Sequence, residues 1–154
     1  MLFALRLFAY RLVKPFQWPT SRVVPISRPT TFVGPGAALK MCDSIAQFGF
    51  KRVLIVTDAI LVKLGLVEPL RKALADRGVE VAVHDGITPD PTHDVLQRGF
   101  DAATAHSADA ILAVGGGSVI DAAKVIGAMV VSGKSPAKLV GMLKVGKPML
   151  PLFA

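Results

Sequence analysis

From about residue 50 onward the chain alternates between two hydrophobic patterns. Short unbroken apolar runs are followed by longer stretches whose apolar side chains recur every three to four residues. Residues 52–57 (RVLIVT), 79–83 (VEVAV) and 109–114 (DAILAV) are runs of the first kind. Their β-branched and aliphatic side chains predict strands buried on both faces, as in a parallel sheet. Residues 66–77, 92–106 and 119–131 read as helices; Gly78 and Gly133 suit the ends of the first and third, and Thr92 is placed to cap the second. Before them, residues 36–48 read as a helix closed by Gly49, and residues 31–33 as a short strand. Strands separated by helices predict an α/β, Rossmann-like, doubly wound parallel sheet with helices on both faces. The last residues, 147–154 (KPMLPLFA), begin one more strand-like run and stop without a turn, which is expected of a domain incomplete at its C-terminus.

The first 28 residues follow a different pattern. Residues 1–14 are apolar apart from Arg6, Arg11 and Lys14, which share one side of a helix. The run is interrupted by charge and falls short of the roughly 20 residues that span a bilayer. Two expectations stand for residues 1–17: packing against the protein itself or a subunit partner, or weak contact with an anionic membrane surface. Prolines 15, 19, 25, 29 and 35 exclude regular helix and predict an extended lead-in. Residues 1–28 are therefore expected to be an extension, and residues 29–154 a single α/β domain.

Charge and cysteine narrow the class. Of the net charge of +7, residues 1–42 contribute six cations and no acid, so the remaining body is nearly neutral. A basic face of the kind that binds nucleic acid is not expected. The single Cys42 excludes an intrachain disulfide and a cysteine-based zinc cluster, and fits a reducing, cytoplasmic compartment.

The chemistry concentrates at Gly115, Gly116, Gly117 and Ser118, between a predicted strand and a predicted helix. Consecutive glycines bring bare backbone N–H groups close to a phosphate, and the following helix directs its positive end to the same place. Ser118 is placed to cap that helix or to offer its hydroxyl to the phosphate. The G-x-G-x-x-G dinucleotide fingerprint is missing, and Gly34-Pro35-Gly36 echoes it only weakly. The acid suited to a ribose is Asp58, which closes the strand 52–57 and is also placed to cap a helix.

Residues 115–124, GGGSVIDAAK, resemble the GGGSxxDxxK signature of the iron-containing alcohol dehydrogenases. Residues 53–58 (VLIVTD) and 89–92 (PDPT) are similar to two further family segments, in the family's order. The resemblance implies that Gly115, Gly116, Gly117 and Ser118 hold a cofactor pyrophosphate, with Asp121 beside the cofactor and substrate pocket. It implies that Asp58 accepts hydrogen bonds from the adenosine ribose and repels a 2′-phosphate, favouring NAD over NADP. Asp90 stands where the family usually has Asn, near the nicotinamide-side ribose. The family's iron(2+) ligands, an Asp and three His, lie on a later all-helical domain, so neither a catalytic nor a metal residue is assigned here. His84, His93 and His106 are read as surface or partly packed side chains, and Lys124 as solvated. The implied function is the NAD-binding portion of an iron-dependent dehydrogenase that interconverts small alcohols and carbonyl compounds, inactive as this portion alone and a homo-oligomer when complete. The alternatives are a non-catalytic nucleotide-binding fragment, or a polyol dehydrogenase of the same fold.

Overall fold

The computed structural model describes residues 30–140, 144–145 and 148–154. The helical reading of residues 1–14 and most of the proline-rich lead-in lie outside the described residues. Residues Phe32–Ala154 form one compact unit.

Its elements in chain order are α1 (Ala37–Gln47), β1 (Arg52–Thr57), α2 (Ala59–Lys63), α3 (Glu68–Ala75) and β2 (Glu80–His84), then α4 (His93–Ala105), β3 (Ala110–Val114), α5 (Gly117–Ser132), α6 (Pro136–Leu139) and β4 (Leu152–Phe153). The four strands form one sheet in the order β2-β1-β3-β4, and every pairing is parallel.

The alternation of side chains along β1 and β3 builds two cores. Val53 and Ile55 of β1, with Ala110 and Leu112 of β3, pack against Cys42 and Ile45 of α1 and Leu70 and Leu74 of α3. Leu54 and Val56, with Ile111 and Ala113, face the other way onto Val95, Leu96 and Ala103 of α4 and Val119, Ala123, Ile126 and Met129 of α5. β1 is buried from Val53 to Thr57 because it is central and covered on both sides. The sheet is thus doubly wound. β2 is placed on one side of β1, and the chain then crosses through α4 to place β3 on the other. The carboxyl ends of β1 and β3 are therefore the point where the winding reverses, and open parallel sheets bind ligands at such a crevice.

The differences from the sequence reading have local causes. No strand forms at residues 31–33, where Phe32 and Val33 are exposed and pair with no strand among the described residues. The short helix α2 was not expected, since the 58–65 segment is too brief to show a period. α3 begins at Glu68 rather than residue 66, with Pro69 in its first turn, where a missing N–H costs nothing. Thr92 occupies the N-cap of α4, but its hydroxyl makes no cap hydrogen bond. α5 begins at Gly117, two residues before the expected start, and Ser118 does not cap it; Gly116 is the N-cap residue. Among the described residues no helix is long and apolar enough to cross a membrane.

Candidate functional site

A cavity of about 370 Å³ opens at the winding reversal. It is lined by Asp58, Ala59 and Ile60, by Ile87, Thr88 and Pro89, and by Gly116, Gly117, Ser118 and Val119. These are three walls: the start of α2, the segment after β2, and the start of α5.

The first wall is held by its own carboxylate. Asp58 continues β1 in an extended conformation, and its Oδ1 accepts hydrogen bonds from the N–H groups of Ile60 and Leu61, each 2.9 Å long. That is an N-cap, which satisfies two donors that a five-residue helix cannot pair internally. The backbone of Asp58 also bridges to Gly86, which ties the first wall to the second.

The third wall is made of glycine for two different reasons. At Gly115, with φ of 156°, a Cβ atom would lie 2.7 Å from Val119 Cγ2. Only glycine lets the chain leave β3 there and fold back onto α5. At Gly116 and Gly117 a Cβ atom would meet nothing within 4 Å. Both residues line the cavity with bare backbone. No side chain caps α5, although it is 16 residues long. Val119 and Ile120 donate to the Gly116 carbonyl, while the earlier N–H groups, of Gly117 and Ser118, stand at the positive end of the helix.

The structure therefore brings together Asp58, Gly116, Gly117 and Ser118. Gly115 shapes the turn from beneath and does not line the cavity. Asp90 is exposed beyond Pro89 with φ of 51°, a left-handed conformation that asparagine and glycine adopt more readily than most residues. Asp121 is exposed one turn into α5, paired with Lys124 Nζ at 2.9 Å, and is not in the lining. Ile60, Ile87, Thr88 and Pro89 were not singled out from the sequence. The Pro-Asp-Pro-Thr segment pointed to this neighbourhood, but apolar residues in an irregular segment carry no motif of their own.

His84, the last residue of β2, packs below the second wall. A Cβ atom at Gly86 would lie 3.1 Å from its Cε1, and one at Gly99 of α4 would lie 3.3 Å from its Cδ2. Its Nε2 is buried, with no partner among the described residues. Burial holds its pKa below the ordinary 6.5; Asp85 opposes the shift and Arg98 adds to it.

This arrangement suits an elongated ligand with an anionic centre. Backbone N–H groups and a helix dipole face the anion, a carboxylate is available to hydroxyl groups, and Ile60, Ile87 and Pro89 offer apolar surface. Among the described residues no group of three His, Cys, Asp or Glu side chains is placed to hold a metal ion.

The family described as iron-containing alcohol dehydrogenase matches residues 29–154. The chain is 32% identical over 142 residues to alcohol dehydrogenase 4 of Schizosaccharomyces pombe, covering 90% of this chain and 34% of that protein. It is 35% identical over 126 residues to the NAD-dependent methanol dehydrogenase of Bacillus methanolicus, covering 82% of this chain and 33% of that protein. Among solved structures, NADH-dependent butanol dehydrogenase A of Thermotoga maritima matches with a TM-score of 0.73 and 26% identity, over 84% of this chain and 33% of that one. The chain spans about a third of the length of the curated relatives it matches. The family match takes in every strand and helix described above, and the chain belongs to the iron-containing alcohol dehydrogenase family.

Proposed function

We propose that residues 29–154 are the NAD-binding part of an iron-dependent alcohol dehydrogenase, with residues 1–28 as an extension. The observation that carries this reading is the open glycine cradle at Gly116 and Gly117. It lies at the start of an uncapped helix, across the cavity from Asp58. The cofactor pyrophosphate rests on the N–H groups of Gly117 and Ser118. Oδ1 of Asp58 is committed to its helix cap, so Oδ2 accepts from the adenosine ribose hydroxyls. Its negative charge disfavours a ribose 2′-phosphate, so NAD is preferred to NADP. Two relatives carry NAD or NADH dependence in their names, which supports the same choice. Gly115 sets the turn. Asp90 and Asp121 stay at the margin, toward the nicotinamide-side ribose and the substrate pocket respectively.

When bound in the complete enzyme, NAD would supply the hydride acceptor and iron(2+) a Lewis acid for interconverting a small alcohol and its carbonyl compound. This chain's residues bind and orient the nucleotide. We assign these residues cofactor binding.

The test is calorimetric titration of the full chain with NAD and NADP, repeated on Asp58→Asn. Asparagine keeps the cap oxygen and removes the charge. NAD is expected to bind wild type more tightly than NADP, and Asp58→Asn to improve NADP binding roughly tenfold. Equal affinities in wild type would remove the ribose role of Asp58. Binding of neither nucleotide would remove the reading itself.

A further inference from the structure

We infer that Thr57, which does not line the cavity, is its positioning residue, the point from which all three walls are held in register. The inference rests on reading the cavity as the NAD site. Thr57 is the last residue of β1 and, among the described residues, the polar side chain buried completely in the core. The four residues before it, Val-Leu-Ile-Val, are apolar, and valine has nearly the shape of threonine. Burying a hydroxyl where a methyl group would fit brings no advantage to folding unless the hydroxyl is bonded, and then little. A threonine here calls for a reason beyond stability.

Its three bonds supply that reason. The Thr57 hydroxyl donates to the Val114 carbonyl at 2.7 Å, across the pair that ends the β1–β3 ladder. That carbonyl belongs to the peptide unit whose N–H is that of Gly115, so the bond sets the plane from which the glycine turn departs. The Thr57 carbonyl accepts from the Ile87 N–H at 3.3 Å, which anchors the segment carrying Ile87, Thr88 and Pro89. Its own chain continues directly into Asp58. One residue thus touches the root of each wall. The hydroxyl is the part of this junction that a side-chain substitution removes without disturbing the strand.

The experiment compares Thr57→Val, Thr57→Ser and a core control, Ile126→Val, in the full chain, with Thr57→Ala standing in should Thr57→Val not fold. Ile126 is fully buried on α5, well along the helix from the cavity. NAD affinity is measured on folded protein, together with the thermal midpoint and the amide resonances of the unliganded chain. The expected result is an NAD Kd raised about tenfold in Thr57→Val and near wild type in Thr57→Ser, whereas Ile126→Val lowers the midpoint and leaves Kd unchanged. In the unliganded chain the amides of Ile87, Gly116, Gly117 and Ser118 should move in Thr57→Val and return in Thr57→Ser. Amides that stay in place, or an Ile126→Val variant that weakens NAD binding equally, would overturn the inference. Amides that move in a chain that binds no NAD would leave the positioning role standing and remove the nucleotide reading.

Discussion

Two strand-to-helix turns lie side by side at the reversal of winding, and they end differently. After β1, Asp58 caps α2 with its own carboxylate, so the turn satisfies its own N–H groups. After β3, one register pair away, the turn is three glycines, and α5 starts with no side-chain cap. Both turns solve the same steric problem of leaving a central strand for a helix. Both line the cavity, but only the second leaves its first N–H groups without a side-chain partner, although its helix is three times as long and has the larger dipole. On the proposed reading, the first turn holds itself and offers Asp58 Oδ2 to the ribose, and the second receives the phosphates.

The comparison can be broken most severely at Gly117. Aspartate suits the first turn of a helix, so Gly117→Asp should leave the thermal midpoint unchanged or raise it. It also places a carboxylate where the pyrophosphate would rest, and NAD affinity should fall about 100-fold. Unchanged affinity would mean that the open glycines do not receive the anion. At Gly115 the effect should be on the fold. The added Cβ of Gly115→Ala meets Val119 and should cost roughly 1–3 kcal/mol in denaturant unfolding. Asp58→Ala removes the cap from the other turn and should cost about 1 kcal/mol, with Asp58→Asn close to wild type.

The smallest expected effect is a pH dependence at His84, under the wall tied to the capped turn. The folded-state pKa of His84 is lowered, so below about pH 6.5 the unfolded chain takes a proton that the folded chain resists. Stability from this group is complete above the unfolded value and is lost as pH falls toward the folded one. The thermal midpoint should drop between pH 7.5 and 5.5, and His84→Gln should flatten that drop. An identical slope in the variant would remove His84 as the cause.

Where sequence and structure agree, the residues carry their own backbone demands. The run Val53–Val56 can only be a central strand, and three glycines after a strand announce a tight approach to something. The cap at Asp58 was legible because a carboxylate closing such a strand suits the start of a helix. Ile87, Thr88 and Pro89 were not legible, because they enter the cavity through the fold, by the Ile87 bond to Thr57 and the bridge between Gly86 and Asp58. The caps assigned to Thr92 and Ser118 did not form. Thr92 does take the N-cap position, without a side-chain bond, whereas Ser118 falls inside its helix because α5 begins within the glycines themselves. The role of Thr57 was hidden as well, since a threonine ending a β-branched run reads simply as strand.

The central claim is that the glycine turn after β3, and not the capped turn beside it, receives the cofactor phosphates. Amide-resolved NMR during an NAD titration of the full chain tests it most directly. The account predicts saturable shifts that are largest at the N–H groups of Gly117 and Ser118, with smaller ones at Ile60 and Leu61 beside the capped turn. Saturable binding that leaves Gly117 and Ser118 unmoved would contradict it.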